Sequence, residues 1–124
     1  MIKILVLEDN ILSQDLLCSV LIPQGYEVDC AADGYSGLTK IKEHQPDLVI
    51  SDIDMPGLNG LEVLRQLRLD SATASLPVII CTSADEESYR WIVRKLNAVY
   101  ITKPFYPAEM LKAIAQQLAQ SSKV

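Results

Sequence analysis

The chain has 124 residues, of which 49% are hydrophobic and 22% charged, with a formal net charge of -5. That length and composition give one domain, residues 1–124, with its own apolar core, and the acidic balance excludes a nucleic-acid binder that works through a basic surface. No apolar run approaches the roughly 20 residues that span a bilayer, which excludes a helical membrane protein.

Met1 runs directly into Ile2-Lys3-Ile4-Leu5-Val6-Leu7 without a small-residue cleavage site, so no secretory signal is read and a cytoplasmic protein is expected. Ile4–Leu7 reads as a first strand and ends at Glu8-Asp9. Asn10 caps a helix carrying Leu12, Leu16, Leu17, Val20 and Leu21 at helical spacing, stopped by Pro23 and Gly25. A short strand over Glu27–Ala31 follows, then a helix capped by Asp33. Gly34 and Gly37 weaken that helix by about 1 kcal/mol each relative to alanine. His44 ends it in a polar turn and is read as solvent-exposed. Leu48–Ser51 is a buried strand, and Asp52 stands at its carboxyl end. Met55-Pro56-Gly57 and Asn59-Gly60 break the chain before a helix with Leu61, Leu64 and Leu67 inward.

Asp70 to Ser75 is a polar loop. Val78–Cys81 is wholly apolar and ends at Thr82. Ser83 followed by Glu86 is a capping-box pattern, opening a helix with Tyr89, Ile92, Val93 and Leu96 on one stripe. Asn97 suits the left-handed conformation at its end. Val99–Thr102 is a fifth strand, ending at Lys103-Pro104. Pro107 opens a last helix with Met110, Leu111, Ile114 and Leu118 inward, and Gln120 to Val124 read as frayed. Cys18, Cys30 and Cys81 are read as reduced thiols packed in the core.

Five β-α repeats require a parallel sheet with right-handed crossovers. The three most apolar strands belong in its centre and the two weaker ones at its edges. The expected α/β fold is therefore a five-stranded doubly wound sheet in the order 2-1-3-4-5. Four strands then end in polar groups at one edge: Glu8 and Asp9, Asp52, Thr82, and Lys103. Clustered carboxylates repel, and a hard divalent cation with oxygen preference, Mg2+, compensates them. The Lys103 ammonium and Thr82 hydroxyl suit phosphate oxygens. A carboxylate in such company is equipped to accept a phosphoryl group.

With these motifs in order, the chain resembles a response-regulator receiver domain of two-component signalling over nearly its whole length. The matching features are Glu8-Asp9, Asp52 in Asp-x-x-Met-Pro-Gly-x-x-Gly, Thr82, Lys103-Pro104, and Tyr100 three residues before the lysine. The resemblance implies a flavodoxin-like fold and a set of roles. Asp52 would be the phosphoacceptor, and Lys103 would bind the phosphoryl oxygen. Asp9 would ligate Mg2+ directly, with Glu8 acting through water and the Asp54 backbone carbonyl completing the set. Thr82 and Tyr100 would form the switch, and the Lys103-Pro104 bond would be cis. The donor would be a histidine kinase or phosphotransfer protein. The output would be an effector protein or a homodimer bound through the helix 4/strand 5/helix 5 face, with no direct contact to nucleic acid or membrane. Asn97-Ala98-Val99-Tyr100 is one residue shorter than the family's usual Gly-Ala-x-x-aromatic, and Ser83 stands where the family prefers alanine.

Trp91 lies opposite the apolar stripe of its helix, with Arg94 and Lys95 beside it. It is read as part of the partner surface, or as a ring lying flat under an arginine stem. Two other functions fit some of the residues. Asp52-Ile53-Asp54 resembles the Asp-x-Asp of haloacid-dehalogenase-type phosphatases, although Met55-Pro56 departs from that pattern. A receiver-like module could also bind partners without phosphorylation.

Overall fold

In the computed structural model, which describes residues 1–121, strands and helices alternate along the chain. The strands are β1 (Lys3–Leu7), β2 (Glu27–Ala31), β3 (Leu48–Ser51), β4 (Val78–Thr82) and β5 (Val99–Thr102). The helices are α1 (Ile11–Leu21), α2 (Gly34–His44), α3 (Gly60–Leu69), α4 (Glu87–Lys95) and α5 (Pro107–Ser121). All strand pairs are parallel and the order is β2-β1-β3-β4-β5, as expected.

The period-2 alternation of strand side chains splits the core into two layers. Leu5 and Leu7 of β1 join Val49 and Ile80 against α2, α3 and α4, through Ile41, Val63, Leu64, Leu67 and Val93. Ile4 and Val6 join Leu48, Ile50 and Ile79 against α1 and α5, through Leu17, Leu21, Met110 and Ile114. Burying each of these side chains stabilises the fold by roughly 1.5–3 kcal/mol.

Gly34 and Gly37 have a use beyond weakening α2. A Cβ on Gly37 would sit 2.4 Å from the Leu7 side chain, and one on Gly34 would sit 2.2 Å from the Leu58 carbonyl oxygen. Their lack of a side chain is what lets α2 lie this close to the sheet and to the loop before α3.

Three sequence expectations are corrected. Of the α1 stripe, only Leu17 and Leu21 are buried; Leu12 is 79% and Leu16 51% exposed. The helix has apolar residues around more of its circumference than one sheet face can cover. The capping box at Ser83 does not form either. The helix starts at Glu87, with Glu86 at a cap position that makes no side-chain bond. The groups that a helix over Ser83–Glu86 would use are engaged elsewhere. The Ala84 amide donates to Thr82 Oγ1 at 3.2 Å, and the Ala84 carbonyl accepts the Tyr100 hydroxyl. Finally, only Cys81 is a core thiol; Cys18 and Cys30 are half-buried.

Asn10 and Asp33 cap α1 and α2 as read, accepting the amides of Ser13 and Ser36 at 3.0 and 2.8 Å. Asn97 takes a positive φ of 56° after α4, where the usual glycine is missing. His44 is exposed. The expected frayed end falls partly outside the described residues, at 122–124; Gln120 and Ser121 complete α5. Arg68, unremarkable in the sequence, donates at 2.7 Å to the carbonyls of both Leu96 and Leu76. It ties the end of α3 to the turn after α4 and to the approach to β4.

Candidate functional site

Strand register builds the site. Leu7 lies opposite Ser51 across β1 and β3, so the next residues, Glu8 and Asp52, emerge side by side. The Asp52 amide extends that ladder by donating to the Leu7 carbonyl at 3.0 Å. Thr82 lies opposite Thr102, which places Lys103 one step beyond the sheet, its amide donating to the Thr82 carbonyl at 2.8 Å. Four polar side chains therefore share the carboxyl edge, where open α/β sheets bind ligands. The Lys103-Pro104 bond is cis.

The lysine is the hub of the cluster. Its Nζ donates to Asp52 Oδ2 at 2.8 Å and also to Glu8 Oε1. The remaining carboxylate oxygens are held by backbone. Asp52 Oδ1 accepts the Ile53 amide at 2.6 Å, and Glu8 Oε2 accepts the Asn10 amide at 3.2 Å. Glu8 is only 2% exposed and Asp52 9%. Burial pushes the Glu8 carboxyl above its usual range, against the pull of Lys103 and of the Asn10 amide. Burial also pulls on Lys103 in the downward direction, but its bonds to Asp52 and Glu8 outweigh that and hold it above the ordinary lysine value. Lys103 is therefore a fixed positive charge at neutral pH.

The expected metal positions are not drawn into a ready cage. Among the described residues no group of three His, Cys, Asp or Glu side chains has that arrangement. The physical reason is the ammonium: Glu8 and Asp52 both turn to Lys103, while Asp9 and Asp54 stay exposed at the rim. The donor set still fits a hard divalent cation. It offers carboxylate and carbonyl oxygens only, and Glu8, Asp9 and Asp52 carry more negative charge than one lysine neutralises.

Thr82 is fully buried, and the two groups of Ala84 connect it to Tyr100. The Arg90 guanidinium lies 4.7 Å from the Tyr100 ring centroid and bonds Asp85 at 2.9 Å. Tyr100 is thus held toward the loop that follows Thr82. Trp91 is 60% exposed, with Lys95 Nζ 5.4 Å from its ring centroid. The arginine stem expected over the ring is corrected: the basic side chain there is Lys95.

Gly60, read from the sequence as a breaker and as the last glycine of the Asp52 motif, has a packing role at the site that the sequence did not show. Its amide donates to the Ile53 carbonyl at 2.9 Å, and a Cβ there would meet the Asp52 carbonyl oxygen at 1.9 Å. The available signal was Asn59 with Glu62 three residues on, and Asn59 does cap α3 through the Glu62 amide at 3.0 Å. Gly60→Ala is expected to cost about 3 kcal/mol or more, because the obstacle is backbone and α3 must move. Urea melts measure this; a loss under 1 kcal/mol would contradict so tight a contact.

A doubly wound parallel sheet whose carboxyl edge gathers buried carboxylates around a lysine defines the class: a receiver-type signalling module. The model of the response regulator receiver domain matches residues 4–115. The chain is 38% identical to protein PilH of Pseudomonas aeruginosa over 120 residues, covering 96% of this chain and 99% of that one. It is 34% identical to the phosphate regulon transcriptional regulatory protein PhoB of Escherichia coli, covering 94% of this chain but 53% of PhoB. It thus spans about half of the longer regulator. The solved structure of chemotaxis protein CheY4 of Vibrio cholerae superposes with a TM-score of 0.85 at 30% identity, covering 94% of this chain and 98% of that one.

The chain belongs to the response regulator receiver domain family of two-component signalling. Receiver domains are signalling switches rather than turnover enzymes; they interact with kinases and effectors and generally use Mg2+. Among the described residues no helix is long and apolar enough to cross a membrane.

Proposed function

We propose that residues 1–124 form one cytoplasmic receiver domain that accepts a phosphoryl group on Asp52 from a histidine kinase or phosphotransfer protein. The observation that carries this is the Asp52–Lys103 contact at 2.8 Å on a carboxylate that the Ile53 amide also orients. A bound Mg2+ would be held by Asp9, Asp52 and the Asp54 backbone carbonyl, with Glu8 behind them, and would supply charge neutralisation for the phosphoryl oxygens. The chain's own residues do the rest. Asp52 attacks phosphorus through a carboxylate oxygen, and the donor's imidazole leaves as the P–N bond breaks. Lys103 follows the developing charge from Asp52 onto a phosphoryl oxygen. Thr82 offers its hydroxyl to a second oxygen. These groups equip the domain to promote its own phosphorylation and, with water as acceptor, its dephosphorylation.

Output follows from the same atoms. Thr82 Oγ1 binds the Ala84 amide, and Tyr100 binds the Ala84 carbonyl. Moving Thr82 toward a phosphoryl group therefore disturbs the loop that Tyr100 grips. The phosphoryl group adds about −1.5 to −2 charge, enough to bias such a two-state element. The affected face comprises α4, β5 and α5, and would bind an effector protein or a second copy of the chain. Trp91, Arg94 and Lys95 are exposed on it. Trp91→Ala is expected to weaken phosphorylation-dependent partner binding or dimerisation by about 2 kcal/mol. Light scattering and titration with and without phosphorylation measure this; equal values for variant and parent would remove Trp91 from the interface.

The proposal is tested by incubating the protein with Mg2+ and acetyl phosphate and recording intact mass. One phosphoryl adduct per chain, lost on chelation of Mg2+, is the expected result. Multiple turnover of phosphoesters would point instead to a phosphatase, and the absence of any adduct to a module that binds without phosphorylation.

A further inference from the structure

Two thiols outside the acidic site stand in contact. Cys18 Sγ lies 4.0 Å from Cys30 Sγ. Local structure explains the meeting. Cys18 follows Leu17 and precedes Leu21 by three, at the margin of the stripe that α1 buries. Cys30 is on the edge strand β2 and packs at the border of the same core layer. Both are half-buried, whereas Cys81 is 2% exposed in β4. The sulfurs therefore sit where the α1–β2 seam meets solvent.

We infer that Cys18 and Cys30 are a redox-active pair that closes reversibly to a disulfide, covalently stapling α1 to β2. This stands independently of the phosphoacceptor role of Asp52. The oxidant is a small-molecule disulfide of the glutathione type. In the first step a Cys18 thiolate attacks one sulfur of the reagent and expels one thiolate, giving a mixed disulfide. In the second step Cys30 gives up its proton to solvent, its sulfur attacks the Cys18 sulfur, and the second reagent thiolate leaves. In sum two protein thiols lose two electrons and two protons, and the reagent is reduced to two thiols.

The order of attack follows from the surroundings. Burial, and the sulfur of Cys18 beside it, push the Cys30 thiol up to about 11, which keeps Cys30 protonated at neutral pH and suits it to the second step. The staple also reaches toward the acidic edge. Ala31, the residue after Cys30, accepts the Glu8 amide at 2.9 Å, and Gln14 of α1 donates its side-chain amide to the Glu8 carbonyl. Closing the pair thus links covalently two elements that both bind the backbone of Glu8.

The test uses the full chain in buffers of reduced and oxidised glutathione at neutral pH. Thiol titration and peptide mapping follow acid quenching. The folded protein is expected to fall from three free thiols to one, with a Cys18–Cys30 cross-linked peptide and Cys81 still free. Closure in the folded chain should exceed closure in the urea-unfolded chain by about tenfold or more, because the fold holds the sulfurs together. Cys18→Ser and Cys30→Ser, each checked by thermal melting for a retained fold, should form no intramolecular link. A titre that stays at three, a persistent glutathione adduct, a link through Cys81, or equal closure in urea would each overturn the proposal.

Discussion

Asp52→Asn will give no phosphoryl adduct with acetyl phosphate and Mg2+ under conditions that label the parent chain to one group per molecule. The amide keeps the size and shape of the side chain but lacks the anionic oxygen that attacks phosphorus. Its environment tolerates the change. Lys103 retains Glu8 as a partner, and the Ile53 amide, 2.6 Å from Oδ1 in the parent, still meets an amide oxygen. The variant is thus expected to fold, with circular dichroism superposing on the parent's, so that a lost adduct reports chemistry. An adduct of equal yield on folded Asp52→Asn would place the acceptor elsewhere.

Lys103→Met has the next largest effect, and it acts on two quantities at once. The ammonium is the shared donor to Asp52 and Glu8, and its side chain is only 21% exposed. Removing it leaves two buried carboxylates facing each other without a countercharge. Breaking one partner of a buried pair costs roughly 3–5 kcal/mol, and solvent access to the lysine places this case near the lower figure. Transfer to Asp52 also loses a donor that follows charge onto the phosphoryl oxygen, an effect of about 10²–10³-fold in rate. A divalent cation offsets the first loss but not the second. Mg2+ is therefore expected to raise the melting temperature of Lys103→Met by more than that of the parent, while phosphorylation stays slow. An equal Mg2+ shift in both proteins would show that the carboxylates do not share one field with the lysine.

The strands, their order and the polar edge were legible because they rest on composition over short windows. Runs such as Leu48–Ser51 and Val78–Thr82 are apolar throughout, and their neighbours in the sheet follow from which runs are fully apolar. The site was legible for the same reason: a residue that follows a strand in a parallel sheet has only one edge to stand on. What periodicity hid was competition. Leu12 and Leu16 have the spacing of a buried stripe, yet α1 has only one side against the sheet, and Leu17 and Leu21 take it. Ser83 and Glu86 have the spacing of a cap, yet Thr82 and Tyr100 claim Ala84 first. Spacing also did not show that Lys103 pairs with both Glu8 and Asp52, because the two carboxylates and the lysine come from three different strands. Gly60 stood in the Asp52 motif, but its role was not legible, because that part is played by a missing atom beside the Asp52 carbonyl.

The most direct measurement locates the phosphoryl group. Chain phosphorylated with acetyl phosphate and Mg2+ is reduced with borohydride, which converts an aspartyl phosphate to homoserine, and then digested and sequenced by mass spectrometry. The account predicts homoserine at position 52 and at no other acidic residue. Homoserine at Asp9 or Asp54, or an acid-labile label on His44 with an unmodified Asp52, would contradict it.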